Sequence, residues 1–140
     1  MSLAHLTLPT RDVERTARFF ENTLGYARTG VPENSPIEAL CLDIGQGQEL
    51  HVFHVESFEV SPFESEFGRH VAVFYPRQRF AALKQRLIDE GAALIEPLRA
   101  SPFERFFFRE PVNGYVFEVI DQDRERRPAV QNPLAIHLDQ

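Results

Sequence analysis

Residues 4–26 read AHLTLPTRDVERTARFFENTLGY. The stretch opens with alternation, Leu6 and Leu8 against His5 and Thr7, which is the pattern of a strand with one buried face. After a turn at Pro9–Arg11, Asp12 is placed to cap a helix whose Val13, Ala17, Phe20 and Leu24 recur on one face, and Gly25 is placed to end it. Residues 69–92, RHVAVFYPRQRFAALKQRLIDEGA, repeat that order with a strand, a turn containing Pro76, a helix presenting Phe80, Leu83 and Leu87, and a terminating Gly91. His5 and His70 each precede the terminating glycine of their segment by about twenty residues.

The repetition continues downstream. Residues 38–55 (EALCLDIGQGQELHVFHV) and 104–121 (ERFFFREPVNGYVFEVID) both read as strand, glycine-containing turn and strand, a hairpin signature. His51 follows Gly47 by four residues and Glu118 follows Gly114 by four. A chain that repeats itself at this scale is expected to form two like modules sharing one domain. Module one spans about 1–60, module two about 66–121, and SFEVSPFESEFG (57–68) forms the linker. Residues 122–140 are expected to be a tail, with the charged run 121–128 solvated and Pro133–Leu138 available to dock on a partner subunit.

With 140 residues, 43% hydrophobic and 26% charged, the chain has the composition of one ordinary globular domain, although its 13 Phe and absent Trp are a skewed choice of core filler. A net charge of −6 argues against nucleic acid or an anionic membrane as partner, since either favours a basic face; a small molecule is expected instead. Cys41 is the sole cysteine, so a disulfide scaffold is excluded, and its expected role is that of a small hydrophobe in a strand. Without a long apolar run, or a basic segment followed by an apolar one at the N-terminus, a soluble cytoplasmic protein is expected.

Strand parity sends His5 away from Leu6 and Leu8, His51 away from Leu50 and Val52, His70 away from Val71 and Val73, and Glu118 away from Phe117 and Val119. All four therefore leave the helix-covered face, at matching places in the two halves. A carboxylate on a covered face is costly alone, and a divalent cation among imidazoles offsets the cost. The expected site is one divalent ion (Fe, Mn, Co, Ni or Zn) held by His5, His51, His70 and Glu118; the alternative is a metal-free pocket in which these groups meet a ligand directly.

Three segments, AHLTLPTRDVERTARFFENTLGY, GRHVAVF (68–74) and REPVNGYVFEVI (109–120), resemble landmarks of the glyoxalase, bleomycin-resistance and extradiol dioxygenase (vicinal oxygen chelate) superfamily. The resemblance implies an α+β fold of two βαβββ modules forming a cupped, mostly antiparallel sheet with helices outside, metal ligands on the first and fourth strand of each module, and a homodimer. Glu49 shares a face with His51 and is the alternative fourth ligand, while His54 and His137 are expected non-ligands. The implied activity is metal-dependent lyase, isomerase or dioxygenase chemistry on a small substrate offering two vicinal oxygens. Glu118 is then ligand or base, and Glu49 and Tyr115 are further acid–base candidates. Arg105 and Arg109 are read as solvated groups able to attract an anionic substrate. A non-catalytic small-molecule binding protein of the bleomycin-resistance type is the competing function.

Overall fold

The computed structural model describes residues 3–124 and residue 130. Strand β1 (His5–Thr10) is followed by helix α1 (Val13–Thr23) and strands β2 (Ala27–Gly30), β3 (Ala39–Gly45) and β4 (Gln48–His54). The second module comprises β5 (Val71–Tyr75), one 3-10 turn at Arg77–Arg79, helix α2 (Phe80–Asp89), and strands β6 (Ala93–Ile95), β7 (Arg105–Arg109) and β8 (Val116–Asp121). Both modules are βαβββ units, as expected, and the class is α+β. Hydrogen bonding divides the eight strands into two open sheets, β1-β4-β3-β2 and β5-β8-β7-β6. In each, the first strand runs parallel to the fourth and the remaining pairs are antiparallel. No helix among the described residues is long and apolar enough to cross a membrane.

Local chemistry accounts for the elements that matter to the site. The Asp12 carboxylate accepts from the Arg15 amide at 2.9 Å, satisfying one of the free donors at the start of α1. The β3–β4 turn holds Gly45, Gln46 and Gly47 at φ of +94°, +56° and +73°, a left-handed run that two glycines make affordable. That turn fixes a register in which Cys41 faces His51 and Asp43 faces Glu49.

One core serves both modules. Leu8, Val13, Ala17, Phe20, Leu42, Leu50 and Val52 of the first join Phe80, Leu83, Leu87, Phe106, Phe108, Phe117 and Val119 of the second. Phe20 of α1 packs against Phe117 of β8 with ring centroids 5.2 Å apart, and Phe19 meets Phe108 at 6.0 Å. A polar clamp closes the seam: buried Asn113 accepts from the Thr10 hydroxyl (2.7 Å) and the Arg11 amide (2.9 Å) and donates to the Thr16 hydroxyl (3.0 Å). The linker is packed rather than loose, because Glu64, 4% exposed, accepts from the Val116 amide at 2.8 Å and from the Arg69 guanidinium. Most of the tail, including Pro133–Leu138 and His137, lies outside the described residues.

Candidate metal centre

On β8, Phe117 and Val119 enter the core, so Glu118 emerges on the opposite face, where the side chains of Arg105 and Phe107 also lie. Glu118 is 6% exposed. Its Oε1 lies 3.1 Å from His70 Nε2, and its Oε2 accepts from Arg105 Nη1 at 2.9 Å. The edge of the His70 ring is steadied against Phe107, centroids 5.1 Å apart at 83°. Arg105 also donates through Nη2 to Glu66 Oε2 at 2.9 Å, and Glu66 receives the amides of Leu98 (2.6 Å) and Arg99 (3.0 Å). Burial alone would raise the Glu66 carboxyl, but these amides and the guanidinium outweigh it and bring it down to about 2.

The tautomer of His70 is constrained from its far side. Nδ1 lies 3.0 Å from the Ser65 carbonyl, which can only accept, so Nδ1 carries a proton there. In the neutral ring that leaves the Nε2 lone pair aimed at a carboxylate oxygen that also only accepts. A cation or a proton is needed between them. The charges agree: Glu66 and Glu118 carry two negatives against the single positive of Arg105, with one negative left over on the side facing His70. First-row cations bind imidazole nitrogen and carboxylate oxygen at about 2.0–2.2 Å, which makes two neighbouring ligand atoms about 3 Å apart. His70 and Glu118 fit that requirement, and the Nδ1–H to carbonyl bond is the usual support of a metal-bound histidine.

The first module carries a separate cluster. His5 and His51 stack, centroids 4.0 Å apart and planes within 7°. His51 Nε2–H donates to Glu49 Oε1 at 3.0 Å, and the Thr29 hydroxyl donates to Glu49 Oε2 at 2.9 Å. Those bonds, His51 first, hold the Glu49 carboxyl below the usual carboxylate range. Burial, followed by the Glu49 charge, pushes the Cys41 thiol up. One donor atom from each of Cys41, Glu49 and His51 lies within 4.8 Å of the others, and this is the one such group of three among the described residues.

The four residues singled out in the sequence thus fall into two pairs, His5 with His51 on the first sheet and His70, just before β5, with Glu118 on β8, and the chain does not gather them at one point. Both sheets turn their other faces to the shared core. Tyr115, expected as an acid–base candidate, is 5% exposed with its hydroxyl donating to the Pro9 carbonyl at 2.6 Å, and burial raises it to about 12; it ties the modules together. Arg105, expected to be solvated, is instead a buried anchor, whereas Arg109 is exposed, as expected. Arg105 is locked between Glu118 and Glu66, and Arg109 donates to the carbonyls of Gly114 (2.9 Å) and Glu64 (3.2 Å).

Two participants went unread. Cys41 stands opposite His51, a pairing that follows once the hairpin is centred on Gln46. Glu66 sits in the aperiodic linker, where no strand or helix pattern announces its contact with Arg105, 39 residues away.

Comparison with known proteins agrees with the fold. The family model described as Glyoxalase/Bleomycin resistance protein/Dioxygenase superfamily matches residues 2–119. No curated relative matches. Among solved structures, the chain is similar to the fosfomycin resistance protein FosX of Mesorhizobium loti, at 20% identity over 85% of this chain and 90% of that one with a TM-score of 0.67. A mutant of FosX from Listeria monocytogenes, complexed with Mn(II) and 1S,2S-dihydroxypropylphosphonic acid, is 17% identical over 86% and 91% with a TM-score of 0.69. A glyoxalase/bleomycin resistance protein/dioxygenase domain from Frankia sp. EAN1pec is 17% identical over 86% and 97% with a TM-score of 0.70. At these identities the structures speak for the fold, and with the family model they place this chain in the glyoxalase/bleomycin resistance/dioxygenase superfamily.

Proposed function

We propose that the protein is a metal-dependent enzyme acting on a small molecule that offers two neighbouring oxygens, and that its centre is assembled from two copies of the chain. The observation carrying the reading is the His70–Glu118 pair, with Nδ1 committed to Ser65 and one uncompensated negative charge facing Nε2. His70 and Glu118 of one chain hold the cation, and His5 of the partner subunit completes a trio; His51 backs His5 through the stacked ring while its own Nε2 stays on Glu49. A divalent ion held there would supply Lewis acidity for negative charge on a substrate oxygen.

The chain's own groups do the rest. Arg105 holds the second Glu118 oxygen and fixes the carboxylate's direction. Glu49, 39% exposed at the side chain and hydrogen-bonded to His51, is placed to take or return a substrate proton. The composite arrangement draws support from large apolar residues that are exposed in the single chain: Leu3 two residues before His5, Val31 and Ile37 between β2 and β3, and Phe63 and Phe67 before His70. The ligand carried by the Listeria protein has adjacent hydroxyls, the substrate chemistry suggested here.

One observation favours the competing binding-protein reading. Both Glu118 oxygens already have a protein neighbour, Arg105 at 2.9 Å and His70 at 3.1 Å, as a metal-free pocket would need. Elemental analysis of protein purified without chelators separates the two. The enzyme reading expects about one first-row divalent ion per chain, lost on Glu118→Ala and His70→Ala. Metal-free protein that takes up no Mn(II), Co(II), Ni(II), Fe(II) or Zn(II) would reject it.

A further inference from the structure

A cleft of about 390 Å³ lies at the seam between the modules, and its walls include none of the histidines, nor Glu49 or Glu118. Arg11 reaches it from the turn before α1, Val60 from the linker, Ala93 from the edge strand β6, and Arg109, Glu110 and Pro111 from the end of β7 and its hairpin turn. Small-molecule sites have volumes of this order, about 300–1,000 Å³. The two cations of the cleft are Arg11 and Arg109. The Arg11 guanidinium rests over the Phe58 ring, 5.6 Å from its centroid, and its side chain has no hydrogen-bond or carboxylate partner among the described residues. Arg109 is held in place by the carbonyls of Gly114 and Glu64, with no carboxylate partner among the described residues and its Nε–H uncommitted. The carboxylate in the wall, Glu110, is 1% exposed and turned inward, where its oxygens accept the amides of Val112, Asn113 and Tyr115. In a chain of net charge −6, the cleft therefore reverses the sign locally, with one net positive charge.

We propose that this cleft binds a small organic monocarboxylate with an apolar body, at a site apart from the metal centre. The uncommitted fork of Arg11 matches the two oxygens of a carboxylate, and the charge of Arg109 adds to the attraction. Val60, Ala93 and Pro111 offer the apolar body its contact surface. One negative charge balances the net positive charge of the cleft, whereas a second would stand uncompensated beside Glu110. A ligand here touches the first module through Arg11, the linker through Val60 and the second module through Ala93 and Arg109. Because that constellation exists only when the modules are packed together, occupancy stabilises the folded chain by mass action. The proposal does not depend on the enzymatic reading, since no residue of the cleft takes part in the His70–Glu118 centre or in the His5–His51 cluster.

The probe is 3-phenylpropionate, with 3-phenylpropionamide as its uncharged counterpart. Titration of the nitrogen-15-labelled full chain, followed by amide NMR signals, is expected to show saturable shifts at Arg11, Ala93 and Gly114 and a raised melting temperature. The amide should bind about tenfold more weakly or worse, having lost the charge that Arg11 recognises. Arg11→Gln removes the fork and Ala93→Phe fills the cleft; both positions are exposed, so both variants should fold, as circular dichroism would verify. Each should weaken binding of the acid by about tenfold or more. His70→Ala and Glu118→Gln should leave the affinity unchanged, which separates this site from a carboxylate bound at the metal centre. Three results would overturn the proposal: no shifts at these residues with about 10 mM acid, equal affinity for acid and amide, or binding that survives Arg11→Gln but is lost in His70→Ala and Glu118→Gln.

Discussion

Arg105 Nη1 and Glu118 Oε2 meet at 2.9 Å between adjacent strands, with the two side chains only 2% and 8% exposed. The pair is a buried charge contact whose second anion is Glu66, so removing the cation strands two carboxylates at once. Breaking a buried ion pair from one side costs about 3–5 kcal/mol, much more than a surface pair is worth. Arg105→Ala is expected to lose stability on that scale in urea denaturation. Arg18→Ala, which removes an exposed i,i+4 partner of Glu14, should cost less than about 1 kcal/mol.

The Asn113 clamp joins residues about a hundred positions apart, and its amide has partners on both sides. Asn113→Ala removes the acceptor of the Arg11 amide and one partner each of the Thr10 and Thr16 hydroxyls, which keep their contact with one another, at a cost of about 1–3 kcal/mol. The exposed neighbour in α1, Asn22, supplies the control. Thermal melts should show a clear drop for Asn113→Ala and almost none for Asn22→Ala.

Acid stability should report Glu66. Its folded carboxyl sits at about 2 against an ordinary 4.5, so the unfolded chain binds the proton more readily. The stabilisation is therefore complete above about pH 4.5 and is lost as pH falls toward 2. Denaturation curves collected from pH 5 down to pH 2 should be steeper in pH for the wild type than for Glu66→Gln. Parallel curves across that window would remove Glu66 from the network.

How much of this could be read beforehand depends on whether a residue announces itself through periodicity. Val13, Ala17 and Phe20, and likewise Phe80, Leu83 and Leu87, declared their helix faces by spacing and are buried as that spacing requires. Leu50, Val52, Phe117 and Val119 fixed strand parity, and with it the side on which His51 and Glu118 emerge. Parity gives a face but no distance between sheets. The symmetry of the repeat suggested that four ligands would converge, whereas α1 packs its Phe19 and Phe20 against the second sheet and both sheets share one core. Arg105 was misjudged because an arginine in a strand is usually solvated, and the counter-charge that buries it comes from an aperiodic linker.

The composite centre makes a demand that no single-chain site can meet. If His5 of the partner subunit completes the centre built on His70 and Glu118, then His5→Ala and His70→Ala chains are each deficient as homodimers but complementary in a mixed one. In the mixed dimer, the His5→Ala chain contributes intact His70 and Glu118, the His70→Ala chain contributes intact His5, and one of two centres is whole. Random exchange of equal amounts gives half mixed dimers, so about a quarter of the wild-type centres should return. Divalent ion retained after gel filtration is the measurement, taken before mixing and after co-refolding. Recovery toward a quarter supports the shared centre. Occupancy that stays at the average of the two parents would place all ligands within one chain, and a monomer by light scattering at micromolar concentration would rule out the shared centre.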